Sequence, residues 1–313
     1  MNEKPQCGTE LQLGYLNKFV DAKLLDKFQI CTSIPGKVPL DSNKINILWQ
    51  KNSYDQPNLM PFFSDPKNHN QYDWYVFNSH WNYEKFRMVF KIPESKCIVI
   101  KNGIETYPVR KSYEKGQPIK IIYHCTPWRG LNILLLAMQY VKNPLVTLDV
   151  YSNTEIYGKQ FYDAHDKLYQ PLYEQAKELP NVNYIGYTEH QEIRKRMQTY
   201  QMFAYPSIFE ETFCISAAEA LGAGLYCITT NFGALYETCS EWPIYVNYEP
   251  NHSNLAYAFG HAIELAAEQL QQKQVMDHLI EQQKFYSKFY SWEKKTTEWT
   301  NFLTGAYNAK RSS

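Results

Sequence analysis

The stretch SIFEETFCISAAEALGAG, residues 207–224, sets three carboxylates, Glu210, Glu211 and Glu219, around a short apolar helical pattern that closes on two glycines. The run MFAYPS (202–207) before it reads as a strand, so the chain leaves a strand, turns and enters a helix. In that arrangement the amides of Phe213, Cys214 and Ile215 point out of the helix start. Exposed amides reinforced by the helix dipole make a site for a phosphate or diphosphate. Glu219 has a plainer reading, because Ser216-Ala-Ala-Glu219 carries the spacing of a capping box. Gly222 and Gly224 lack the third glycine of a dinucleotide fingerprint and read as a helix stop.

Other chemistries find little support. The seven cysteines form no Cys-x-x-Cys pair and the eight histidines no His-Glu-x-x-His pair, so neither a metal centre nor a disulfide framework is expected. The cysteines read as free thiols of a reducing compartment. No strand run is followed by Gly-x-Gly-x-x-Gly, which argues against hydride transfer on a dinucleotide cofactor. The longest strongly apolar run, ILLLAM at 133–138, is far too short to cross a bilayer. No charged start leads into an apolar signal segment. A soluble, cytoplasmic protein is the expectation.

The elements that must position these residues can be read from hydrophobic patterning. At 313 residues, 44% hydrophobic and 20% charged, the chain suits two globular domains. Strand-like runs occur at 28–33, 45–50, 74–79 and 97–102, and a second series at 119–125, 146–152, 182–187, 202–207, 225–230 and 243–248. Helical patterns fill the gaps at 8–20, 80–90, 130–141, 160–178, 189–199 and 253–271. This alternation predicts parallel βαβ units. The class is α/β, with two doubly wound Rossmann-like domains joined near residues 103–118. Ligands of such sheets bind beyond the carboxyl ends of the strands. That directs attention to residues 125–130, 152–157, 187–190, 207–215 and 230–235.

Charge is balanced overall but not along the chain. Residues 1–115 hold 16 Lys and Arg against 12 Asp and Glu, and the remainder 16 against 20. A mildly basic half keeps an anionic partner, nucleic acid included, among the alternatives. Lys37, Lys44, Lys51, Lys67 and Arg87 would contact phosphates, and Trp49 and Trp81 would stack on bases.

The segment YPSIFEETFCISAAEALGAG resembles the Glu-x7-Glu signature of retaining glycosyltransferases of the GT-B fold, specifically family 4. The resemblance implies two Rossmann-like domains facing across a cleft and a nucleotide sugar held by this loop and helix. It makes Glu211 the glutamate that contacts donor-sugar hydroxyls and Glu219 the one that binds the ribose. Cys214 departs from the family, which usually has glycine after the phenylalanine. YHCTPWRGLNILLLA (123–137) resembles the first strand–loop–helix of the donor domain, with Arg129 and Gly130 at the diphosphate, although the family's additional upstream arginine has no clear counterpart. NVNYIGYTEHQEI (181–193) resembles the segment beside the nucleobase, and TTNFGALYET (229–238) places Gly233 and Glu237 near the site. CGTELQLGYL (7–16) resembles the glycine-rich loop opening the first helix, with Gly8 near the phosphates. Only six residues precede it, so the acceptor domain is expected to be trimmed.

The resemblance divides the chain into an acceptor-side domain, 1–113, completed by a terminal helix at 289–313, and a donor domain, 116–288. It implies transfer to an acceptor hydroxyl with retention of configuration, no cofactor or metal beyond the co-substrate, and Glu211 and Arg129 as the catalytic pair. His80, just after a strand of the first series, is the candidate acceptor contact. A glycan or small molecule is the favoured acceptor and a hydroxylated base in DNA the alternative. A non-catalytic nucleotide-sugar binder is the rival from another class.

Overall fold

The computed structural model describes residues 7–111 and 113–312. Its ten strands are β1 (Phe28–Thr32), β2 (Ile45–Gln50), β3 (Trp74–Phe77), β4 (Cys97–Val99), β5 (Ile119–Tyr123), β6 (Val146–Val150), β7 (Val182–Tyr184), β8 (Met202–Tyr205), β9 (Tyr226–Thr230) and β10 (Ile244–Val246). All ten expected runs become strands, β2 over its full expected span and the other nine shortened at one or both ends. Every ladder is parallel, in one sheet of order β1-β2-β3-β4 and another of order β10-β9-β8-β5-β6-β7.

The chain divides into two compact units. One comprises Gly8–Ile104, Glu211–Phe213 and Phe289–Ser313, and the other Glu105–Glu210 and Cys214–Lys288.

In the first unit, β2 is buried along its whole length, which is why INILWQ reads as a continuous run rather than an alternation. One face of the sheet packs Ile47, Trp49 and Val76 with Trp292, Trp299 and Leu303 of the terminal helix Trp292–Ser312. Trp49 is fully buried, its ring 4.7 Å from Trp299 and set edge-on. It therefore cannot stack on a nucleic-acid base, correcting that expectation. The other face gathers Phe63, Tyr75, Phe77, Phe86 and Phe90. Three of the cations considered for phosphate contact are engaged locally. Lys44 lies 3.2 Å from Asp26, Arg87 lies 2.6 Å from Glu84, and Lys51 donates to Asn102 while its ammonium stands 3.4 Å over the Trp49 ring.

In the second unit, β8 and β9 are buried throughout, and β6 alternates, with Val146, Leu148 and Val150 turned inward. Helices Leu131–Met138 and His252–Gln269 add Leu134, Leu135, Phe259 and Ile263 to the core. The expected helix over 160–178 is interrupted: Lys159–His165 gives way to a 3-10 turn, Asp166–Tyr169, before Gln170–Glu178. Buried Asp166 accepts hydrogen bonds from Thr154 Oγ1 (2.8 Å), Gln170 Nε2 (2.9 Å) and Tyr173 Oη (3.0 Å), which fixes the chain at the break. Pro171 at the start of the following helix has no amide to continue the preceding one.

The sequence patterning also missed the helix Lys273–Phe289. Its inward face includes Gln282 and Gln283, which interrupt the apolar period. Gln282 Nε2 donates to the carbonyls of Leu221 and Leu225, and Gln283 accepts from the amide of Arg110. The Gln282 amide nitrogen and both polar ends of Gln283 thus find partners in the core.

Candidate active site

The order of the larger sheet decides where its site lies. The chain builds β5, β6 and β7 outward, then crosses to the other side of β5 for β8, β9 and β10. The sheet reverses between β5 and β8, and the loops leaving those two strands diverge there. A crevice at the carboxyl ends of such a switch point is where doubly wound sheets bind ligands.

Arg129 and Gly130 follow β5, in a 3-10 turn that leads into Leu131–Met138. Gly130 has φ 113°, and a Cβ placed on it would lie 2.1 Å from the carbonyl oxygen of Pro206 in the loop after β8. Only glycine lets the two loops meet this closely. The Arg129 guanidinium stands 4.3 Å over the ring of Phe209, in the same loop. The expected phosphate-binding cation is therefore attached to the loop that opens the next helix.

That helix is Ile215–Gly222, and its first-turn amides have no carbonyl in the preceding turn to donate to. It starts at Cys214, with φ 70° and ψ 87° and no side-chain cap. This is backbone that glycine adopts without strain and that a side chain disfavours. The glycine usual in the resembling family would suit it better. The capping-box reading is corrected: Ser216 already lies inside the helix, one turn before Glu219, and Glu219 turns elsewhere. Gly224, at φ 79° just beyond the helix, supports the helix-stop reading.

Glu219 is 4% exposed. His190, at the start of helix His190–Arg196 after β7, directs Nε2 at both carboxylate oxygens, 2.8 and 3.0 Å away. Burial alone would raise the carboxyl pKa, but the charge and hydrogen bond of His190 outweigh it, and the net shift is downward. Burial likewise works against charge on His190, yet the carboxylate prevails and its pKa is raised. One turn along, Arg194 reaches Glu105 at 2.8 Å and lies 4.6 Å over Tyr107, fastening the helix.

His124, one residue beyond β5, faces the same carboxylate electrostatically. Burial dominates there and lowers its pKa to about 4, so it is neutral at physiological pH. His124 Nε2 and His190 Nδ1 are buried without hydrogen-bond partners in the protein. Neither histidine was assigned a role from the sequence, although His190 lies in the 187–190 window after β7 and His124 is the first residue beyond β5.

The second unit thus brings together Arg129, Gly130, Glu219 and the helix start at Cys214 and Ile215. Gly233, at φ 65°, occupies the loop after β9, and Glu237 lies in the helix that follows. Glu211, Phe213, Gly8 and His80 belong to the first unit. Glu211 and Phe213 are buried there, and Thr212 between them donates to the carbonyl of Lys51 (2.9 Å) and accepts from Asn78 Nδ2 (3.1 Å). Gly8 opens the helix Gly8–Phe19, and His80 is the exposed first residue of His80–Phe90. Among the described residues, no three His, Cys, Asp or Glu side chains gather as a metal cluster, and no helix is long and apolar enough to cross a membrane.

Residues 109–274, just over half of the chain, match the family model of group 1 glycosyl transferases. The chain belongs to the group 1 glycosyl transferases. Solved structures place this glycosyl transferase in the GT-B fold. A glycosyltransferase from Rickettsia africae superimposes with a TM-score of 0.68 at 16% identity, covering 98% of this chain and 84% of that one. Anabaena HepE in complex with UDP-glucose gives 0.61 at 16% identity, over 84% and 72%. Sucrose-phosphate synthase from Thermosynechococcus elongatus gives 0.64 at 16% identity, over 85% and 69%. No curated protein matches the sequence.

Proposed function

We propose that this glycosyl transferase moves a hexosyl or pentosyl group from a nucleotide sugar to an acceptor hydroxyl, with retention of configuration, as a family 4 enzyme. The carrying observation is a buried, oriented carboxylate, Glu219, at a switch point that also holds Arg129 and an open helix start. A carboxylate in that setting accepts hydrogen bonds from the ribose hydroxyls. Arg129 and the first-turn amides of Ile215–Gly222 face the diphosphate, where negative charge grows as the glycosidic bond breaks. Gly130 and Gly233 let backbone approach the donor closely, and Glu211 takes the donor-sugar hydroxyls. The complex of HepE with UDP-glucose supports a donor of this class.

The reaction needs no metal in this reading, so turnover persists in chelator. The acceptor is a glycan or small molecule: local engagement of Lys44, Lys51 and Arg87 and burial of Trp49 disfavour a nucleic-acid surface. His80 remains the candidate acceptor contact, and the enzyme works in the cytoplasm.

Calorimetric titration with UDP, GDP, ADP and CDP tests the donor site. One diphosphate should bind, and Glu219→Gln should weaken it by more than about tenfold, since hydrogen bonds to a charged group contribute roughly 1.5–3 kcal/mol each. Unchanged affinity in that variant would remove Glu219 from the site. Labelled sugar offered to a glycan panel beside hydroxymethylated duplex DNA tests the acceptor. Salt-sensitive labelling of the DNA would overturn the glycan preference.

A further inference from the structure

We infer that His190 is a positioning residue of the donor site, holding Glu219 through Nε2 so that the carboxylate meets two ribose hydroxyls. The inference rests on the nucleotide-sugar reading and assigns a residue which that reading does not contain.

The geometry begins with the carboxylate. An ionised carboxylate offers about four acceptor positions. His190 Nε2 spans the two oxygens at 2.8 and 3.0 Å, which leaves acceptor capacity on each. Two neighbouring hydroxyls, each donating one proton, match what is left. Burial of Glu219 makes an unfilled acceptor costly, so the site favours a ligand that fills both. Its negative charge also disfavours a phosphate in that position.

His190 is what fixes that acceptor geometry. Its Nε2–H lies between the two oxygens and holds the carboxylate against rotation, leaving their outer lone pairs to the ligand.

The test compares affinities of the full chain for UDP, GDP, ADP and CDP with those for their 2′-deoxy counterparts, in the parent, His190→Ala and His190→Gln. The parent should prefer the ribose form of its nucleotide by at least about tenfold, the equivalent of one charge-assisted hydrogen bond. In His190→Ala the ribose form should weaken and the deoxy form should change little, so the preference collapses toward unity. His190→Gln, which can donate to Glu219, should restore folding and most of the preference. If His190→Ala fails to fold, His190→Leu, which fills the space without a donor, carries the comparison. A parent that binds a ribonucleotide while the donor-less variant keeps its full ribose preference overturns the inference and leaves the donor reading intact. A parent that binds none of the four ribonucleotides overturns the donor reading, and the inference with it.

Discussion

Gly130 and Pro206 meet so closely that a methyl group on the glycine would sit 2.1 Å from the proline carbonyl oxygen. This approach joins the loop after β5 to the loop after β8 at the switch point of the sheet. Gly130→Ala should therefore destabilise the protein by roughly 2–5 kcal/mol, from the strained φ and the forced separation together. Thermal unfolding of the variant checks this, and a melting temperature equal to the parent's would show that the loops can part freely.

Arg129 should matter for turnover far more than for folding. Among its contacts is the stack on Phe209, and a partly exposed cation–π pair contributes about 0.5–1 kcal/mol. Losing a preorganised donor to a developing anion costs about a hundredfold or more in rate. Arg129→Ala should lower donor turnover far more than it lowers the unfolding midpoint. Transfer at the parent rate would rule out the assignment.

Cys214 occupies backbone better suited to glycine. Cys214→Gly removes a local strain of about 1–3 kcal/mol while adding flexibility to the unfolded chain, so stability should hold or rise. Cys214→Val introduces a β-branched side chain at positive φ and should lose more than about 1 kcal/mol. Denaturant titration of the two variants gives the order, and Val matching or exceeding Gly would contradict it.

His124 makes stability depend on pH in a defined window. Its pKa is about 4 in the folded chain against an ordinary value of 6.5. Between these values the unfolded chain binds a proton that the folded chain refuses, so this contribution rises with pH, by at most about 1.4 kcal/mol per unit. The raised pKa of His190 acts oppositely: its contribution is complete below the unfolded value and is lost as pH climbs through the folded one. The lowered pKa of Glu219 contributes above its unfolded value and is lost as pH falls through the folded one. His124→Phe isolates the first effect and should gain on the parent as pH drops from 6.5 toward 4. A stability difference that stays flat over that window would refute it.

Sequence alone determined the strands, because a strand buried on both faces needs a short continuous apolar run, and INILWQ or MFAY carries that signal within itself. It also located Arg129-Gly130 and the Glu219 helix, since strand–loop–helix junctions are local. It did not resolve the break at Asp166 or the helix Lys273–Phe289, where buried polar side chains hold remote partners and interrupt the apolar period. Nor could it order β8 beside β5, which follows from how whole helices cover a sheet and not from any one segment. The bond from His190 to Glu219 spans 29 residues and three elements. Patterning assigned Glu219 a neighbour three residues away, because a capping box is a local geometry that sequence spacing can display. Tertiary structure put the histidine there instead, as a buried carboxylate needs a donor and the packing of two helices decides which one arrives.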